Sequence, residues 1–441
     1  MHGVAVTVNT LALMSEPRRF FLQTLGCPKN QVDSDKIEGT LVDQGMTSTE
    51  DPSQADVVVV NTCAFIEEAR QESIDTVLSL DEVRRSGSRL VVTGCMAERY
   101  GDELAEALPE VDQVAGFGVP VRLGRRPTGL EAAAEQLPSF DLLNLRRPPA
   151  SMPWAYVKIA EGCDRTCGFC AIPSFRGPQV SRTLTSILDE VAQLEVREVV
   201  LVAQDLASFG KDRGERGAIV PLVEQVASMV DRVRLLYLYP SDLSDELVEA
   251  MLASGVPYFD LSLQHVARDH LRKMRRWGDG QRFLDRIDYI RAMEPDAVFR
   301  SNFIVGYPGE TEDHQAEMVS WLEAAQLDWC GLFTYSAEEG TLAAGLDGQV
   351  PHGLALERQA ELSELQDAIT AARRDDLVGH RVEVLIDEVG VGRSHREAPE
   401  IDGVVRVPAE LAVGEFHEVT IEWAVGPDVG AEGTWPGPDE S

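Results

Sequence analysis

Short apolar runs recur along the first 145 positions, separated by stretches with helical spacing. Residues 20–25, 57–60, 90–93 and 113–116 read as strands, and 34–44, 66–80 and 97–108 as the helices between them. Strands that are apolar throughout and joined by helices predict a buried parallel sheet. Pro148, Pro149 and Pro153 mark a linker. The alternation resumes at 156–160, 199–203, 234–238, 259–263, 298–305 and 331–335, with intervening stretches long enough for crossover helices. Six such units predict an open, partial TIM-like (β/α)6 barrel, closed by a charged helix over 354–376. Past residue 378 the pattern shortens to β-type runs at 382–386, 404–407 and 418–423, divided by Gly and Pro, which predicts a small all-β barrel. The expected organisation is α/β: an extension over 1–17, a parallel-sheet domain over 18–147, the partial barrel over 148–377 and the β-barrel over 378–441.

A chain of 441 residues has room for two or three domains. No stretch approaches the roughly 20 apolar residues of a membrane-spanning helix. The start is mildly apolar, but Arg18 and Arg19 follow it, the reverse of a secretory signal's charge order. An extension, or initiation at Met14, is the expectation, with a cytoplasmic location. Net charge is −34, from 74 acidic and 40 basic residues. Such a surface repels nucleic-acid backbones and attracts basic partners. Seven cysteines, an odd count without an export signal, point to metal binding or catalysis in place of a disulfide framework.

Cys163, Cys167 and Cys170 have the spacing C-x3-C-x2-C. Three thiolates can hold three irons of a 4Fe–4S cube and leave the fourth open. A structural zinc wants four ligands, and no fourth Cys or His lies nearby, the next being His265. Cys27, Cys63 and Cys95 have no such spacing, yet each directly follows a predicted strand. All strands of a parallel sheet end on one face, so these thiols can converge. Gly26 and Gly94 allow close backbone approach, and helices starting at the cysteines favour thiolates. The alternative is three buried structural thiols. Cys330, at the start of an apolar strand, reads as a packed core thiol.

Two triads in this order, followed by a small β-domain, resemble the methylthiotransferases. These are radical S-adenosylmethionine (SAM) enzymes with two 4Fe–4S clusters and a terminal TRAM domain. Gly26-Cys27-Pro28-Lys29-Asn30 with Val32-Asp33-Ser34 resembles the RimO branch, which acts on ribosomal protein S-twelve. Ala171-Ile172-Pro173, Arg176-Gly177, Ser181-Arg182, Ala203-Gln204-Asp205, Leu263-Gln264-His265, the run 303–312 and Tyr335 to Thr341 extend the match, as do Arg393-Ser394 and 398–403. One departure is Leu206-Ala207-Ser208-Phe209-Gly210, where the family usually has Thr-Thr-x-Tyr-Gly.

The resemblance implies that Cys163, Cys167 and Cys170 hold the SAM-cleaving cluster and that Cys27, Cys63 and Cys95 hold an auxiliary cluster carrying sulfur. A SAM-derived radical would take hydrogen from the β-carbon of an aspartate in S-twelve, and a methylthio group would replace it. An electron donor such as flavodoxin or ferredoxin and a sulfur donor are implied as partners. Phe169 is a candidate to pack beside the SAM adenine, with core packing as its alternative. Gln204 and Gly306, at strand ends, are candidate SAM contacts. Arg176 and Arg182 could hold a carboxylate of SAM or of the target, or serve as salt bridges. His265 reads as a hydrogen-bonded structural histidine, and Glu338 and Glu339 as loop or structural carboxylates. The last domain counts 14 acids against 4 arginines over 379–441, about −10, which suits a basic protein loop better than tRNA. A tRNA adenosine methylthiotransferase and a non-catalytic iron–sulfur electron-transfer or scaffold protein are the competing readings.

Overall fold

The computed structural model describes residues 18–119, 121 and 141–434. The extension over 1–17, with the choice between Met1 and Met14, lies outside them.

In the first domain β1 (Arg19–Thr24), α1 (Pro28–Asp43), β2 (Thr47–Ser48), β3 (Val57–Thr62), α2 (Glu67–Val83), β4 (Arg89–Gly94), α3 (Cys95–Ala107) and β5 (Gln113–Ala115) alternate along the chain. The strands form one parallel sheet in the order β2-β1-β3-β4-β5. All six residues of the central β3 are buried. Val58 and Val60 face a core with Val77 and Leu90, whereas Val57 and Val59 face one with Ile37 and Leu41. Both faces are covered, which is why this strand reads as an unbroken apolar run.

The second domain runs through β6 (Trp154–Lys158), β7 (Ala160–Glu161), α4 (Ile172–Arg176), β8 (Val180–Ser181), α5 (Leu184–Leu194), β9 (Glu198–Val202), α6 (Ile219–Ala227), β10 (Arg232–Leu235), α7 (Asp245–Ala253), β11 (Tyr258–Gln264), α8 (Arg268–Lys273), α9 (Gly280–Met293), β12 (Val298–Val305), α10 (Glu312–Ala325), β13 (Trp329–Thr334) and α11 (His352–Asp375). Its six long strands form two parallel sheets, β10-β9-β6 and β11-β12-β13. A single bridge between Leu238 and Leu261 joins them into the expected open barrel. The strand expected over 234–238 stops at Leu235 because Tyr237 takes a left-handed φ of 67°. The short antiparallel pair β7–β8 is not legible in the sequence.

The third domain is a closed barrel, in the order β14 (Arg381–Glu388), β15 (Val391–Arg393), β16 (Val405–Arg406), β18 (Asp428–Ala431) and β17 (Phe416–Val425). Its loop after β15 enters the central barrel. Ala398 and Ile401 pack in the lumen against Trp154, Tyr156, Val200, Val202 and Tyr258. The Tyr156 hydroxyl donates to the Pro399 carbonyl at 2.7 Å, Tyr258 to Asp402 at 2.6 Å, and the Trp329 indole to the Arg396 carbonyl at 2.7 Å. Glu198, buried at the start of β9, meets Arg234 at 2.8 Å and Arg393 at 3.1 Å. Most of these contacts fall at the N-terminal ends of the strands, so the loop plugs the barrel from the end opposite the cysteines.

Candidate functional site

Cys27 is the N-cap of α1, Cys95 is the first residue of α3, and Cys63 directly follows β3. All three therefore stand on the C-terminal edge of one parallel sheet. Gly26 has φ 94°, and a Cβ there would lie 2.9 Å from Cys63 Cβ and 3.1 Å from its Sγ. Gly94, with φ 90°, has no room for a Cβ against Asn61 and the Thr62 carbonyl. The fully buried Asn30 donates to the carbonyls of Leu25 (2.8 Å) and Thr62 (3.1 Å), tying two of the cysteine loops together. Burial lifts Cys63 to about 12, helped by the charges of Cys27 and Cys95. Burial also raises Cys27, but Lys29, Arg176 and the amides of Asn30 and Lys29 outweigh it, and its thiol falls below the usual range.

The second triad lies on the loop between β7 and α4. Cys163, Cys167 and Cys170 line a cavity of about 110 Å³ with Arg165, Phe169, Gln204, Asp205, Tyr237, Tyr239, Gln264 and Arg276. It opens at the C-terminal ends of β9, β10 and β11. Burial pushes Cys163 to about 11 and Cys170 to about 12, so metal binding here must displace protons. The donor set fits a three-ligand cluster with one open iron: three thiols share one cavity, and among the described residues its lining holds no fourth Cys and no His. Tyr239 is sandwiched between two guanidiniums, Arg165 at 3.8 Å and Arg276 at 3.9 Å from its ring centre. Arg165 also binds Asp205 at 2.5 Å, and Arg276 reaches Cys167 Sγ at 3.4 Å.

Tyr237 links the surroundings of the two triads. It lines the cavity of the second, and the Lys29 ammonium, two residues from Cys27, sits 3.4 Å from its ring centre. Two of the cavity's residues, Tyr237 and Gln264, hold positive φ (67° and 72°), an uncommon conformation for side chains of their size. Nothing in the sequence singles out Tyr237 or the Tyr239 sandwich. Gln264 falls inside the Leu263-Gln264-His265 motif, but no local pattern reports such strain.

Of the expected contact residues, Phe169 and Gln204 line the cavity. Gln204 donates to Glu161 at 2.6 Å. Arg176 is buried between the triads, and the carboxylates it holds are the protein's own: Glu161 at 2.7 Å and Asp33 at 3.6 Å. Arg182 does not reach the cavity. Its guanidinium is taken up by Glu190 and by the carbonyls of Lys158 (3.1 Å) and Ser186 (2.9 Å). Gly306 also stands outside the lining; its amide donates to Glu310 at 2.8 Å, and a Cβ there would meet Ala355 at 2.6 Å. The departing residues Leu206 and Ala207 are buried in the outer core, whereas Ser208 donates to Asp205 at 2.7 Å. Glu338 is buried and binds Arg70 at 2.6 Å and Arg99 at 2.7 Å, joining the first domain to the loop after β13. Cys330 packs against the main core.

Buried His265, His270 and Glu310 bring three potential ligand atoms within 4.8 Å of one another. His265 Nδ1 accepts the Ala267 amide at 3.0 Å, which leaves the neutral ring's proton on Nε2, facing Glu310. Glu310 is already bound by Arg358 at 2.9 Å and by the Gly306 amide. His265 is thus an acceptor at Nδ1, and its Nε2 stands 3.9 Å from Glu310, beyond hydrogen-bond distance.

Residues 19–116 match a family described as Uncharacterized protein family UPF0004, 157–322 the Radical SAM superfamily, and 378–433 the TRAM domain. The ribosomal protein uS12 methylthiotransferase RimO of Salinispora tropica is 42% identical, covering 91% of this chain and 90% of that protein. Its counterpart in Kineococcus radiotolerans is 40% identical over 94% and 97%, and that of Cutibacterium acnes 37% over 92% and 96%. Among solved structures, the radical SAM methyltransferase TsrM of Kitasatospora setae, with cobalamin and a 4Fe-4S cluster bound, shares the fold: TM-score 0.52, 15% identity, 72% of this chain and 75% of that one. Related along nine tenths of its length to proteins that share one name, and matching a model in each of its three domains, the chain belongs to the RimO family of radical SAM methylthiotransferases.

Proposed function

We propose that this chain adds a methylthio group to the β-carbon of an aspartate in ribosomal protein uS12, the S-twelve of the small subunit. Cys163, Cys167 and Cys170 would hold one 4Fe–4S cluster with SAM at its open iron, and Cys27, Cys63 and Cys95 a second. When bound, these groups supply a SAM-derived radical and a transferable methylthio sulfur.

The protein's own residues position and shield. Gln204, fixed by Glu161, presents its amide to the cavity, and Phe169 supplies an apolar wall beside Met274 and Tyr307. Arg165 and Arg276, both stacked on Tyr239, line the cavity; Arg165 is paired with Asp205 and Asp242, which leaves Arg276 as the arginine that would hold a carboxylate of SAM or of the target. The observation that carries this reading is that Tyr237 touches the surroundings of both three-thiol sites, lining the cavity of one and meeting Lys29 beside Cys27 of the other. A radical source and a sulfur donor must reach the same carbon, and sites so linked allow that. An electron donor such as flavodoxin or ferredoxin, a sulfur donor and a cytoplasmic setting complete the proposal. Among the described residues no helix is long and apolar enough to cross a membrane.

The test is anaerobic. Protein reconstituted with iron and sulfide receives SAM, reductant and a uS12 loop peptide, and the peptide is weighed. A gain of about 46 mass units on the aspartate, methylthio for hydrogen, is the expected result. No gain on peptide or intact subunit, with a gain on tRNA, assigns the chain to adenosine modification instead.

A further inference from the structure

Arg176 is nine-tenths buried, and both of its terminal nitrogens are engaged. Its Nη2 lies 2.9 Å from Cys95 Sγ and 2.8 Å from Asn30 Oδ1. Its Nη1 lies 2.7 Å from Glu161 Oε1, and its plane covers the Phe117 ring at 4.4 Å. Glu161 in turn takes Lys158 at 2.6 Å and Gln204 at 2.6 Å. Lys158 closes the loop on Asp33, which also faces Arg176. One guanidinium thus touches a thiol of the first triad and, through one carboxylate, a side chain that lines the cavity of the second. The carboxylates fix its charge in place, and Phe117 keeps water off its face.

We infer that Arg176 is a positioning residue for the auxiliary cluster, donating an N–H···S hydrogen bond at Cys95 that raises the cluster's reduction potential. The inference rests on the reading of Cys27, Cys63 and Cys95 as cluster ligands. A hydrogen bond to a ligating sulfur withdraws charge from the iron and favours the reduced state, and burial makes the effect larger than it would be in water. Arginine suits this position because its planar fork serves sulfur, amide and carboxylate at once, which a lysine's point charge cannot.

The experiment isolates that cluster in the full-length chain by replacing Cys163, Cys167 and Cys170 with alanine. After anaerobic reconstitution this parent should hold about four irons. A redox titration followed by electron paramagnetic resonance then gives its midpoint potential, for the parent and for added Arg176→Lys and Arg176→Met. The expected order is parent highest, lysine intermediate and methionine lowest. Glu161→Gln, which frees Arg176 from its counter-charge, should move the potential upward, and that upward shift should shrink when Arg176→Met is also present. Midpoints that ignore Arg176 while iron is retained overturn the inference and leave the cluster reading intact. Loss of the cluster from Arg176→Lys overturns it too, since the fold would then require Arg176 for assembly. A parent that binds no iron removes the cluster reading itself, and this inference with it.

Discussion

At Gly26 one added methyl group decides whether the first triad can assemble. The φ of 94° disfavours any L side chain, and the new Cβ would lie 2.9 Å from that of Cys63. Gly26→Ala should cost about 1–3 kcal/mol and reduce reconstituted iron from about eight to about four per chain. SAM cleavage at the other triad should persist, and iron analysis beside a SAM-cleavage assay checks both. Asp402 gives a second residue-scale prediction. Burial lifts its carboxyl to about 6, and Arg300, Tyr258 and the Ala398 amide offset only part of that. Between about pH 4, the unfolded value, and about pH 6, the folded chain keeps a proton that the unfolded chain has lost, so this group's contribution to stability falls as pH rises. Asp402→Asn removes that fall. Its stability relative to wild type should climb across this window by on the order of 3 kcal/mol and then level off. Urea unfolding at several pH values measures it, and a flat difference counts against the assignment. The cysteines can be read from sequence because strand ends and ligand spacing are local features. Arg176 and Arg182 cannot be told apart there, because both follow the same cysteine loop. Only the fold turns one toward Cys95 and the other toward Glu190 on α5.

Among the elements, the long strands are the most legible. Unbroken valine runs such as 57–60 arise where both faces of a strand are covered. Two-residue strands such as β2, β7 and β8 carry no periodicity and exist only through their partners. The loop after β13 reads in the sequence as carrying loop or structural carboxylates. Glu338 is the structural kind, gripped by Arg70 of α2 and Arg99 of α3, partners that no local pattern names. Removing one partner of a buried ion pair strands the other charges. Glu338→Gln should therefore cost about 3 kcal/mol and lower the melting temperature. Proteolysis should become faster between the first and second domains, with iron content unchanged. Wild-type cleavage kinetics would show that the grip is not needed to hold the domains together.

For the whole molecule, the contact least visible in the sequence is the one that fills the centre. Residues 398–402 pack in a lumen formed by strands whose first residues run from Trp154 to Trp329, and no local pattern encodes such distant pairings. A chain ending at residue 377 should leave Glu198 and Arg234 without Arg393 and the His395 carbonyl, and the apolar lumen open to water. It should bind a hydrophobic dye and fail to retain iron at Cys163, Cys167 and Cys170. Wild-type SAM cleavage by such a chain would show the barrel to be self-sufficient.

The plug also sets an order of events during synthesis. All six barrel strands leave the ribosome before Ala398 is made, so domain-by-domain folding from the N-terminus cannot finish the second domain in its turn. Through that interval the growing chain displays a half-built hollow, which makes the middle of this protein, not its newest end, the part most in need of a chaperone.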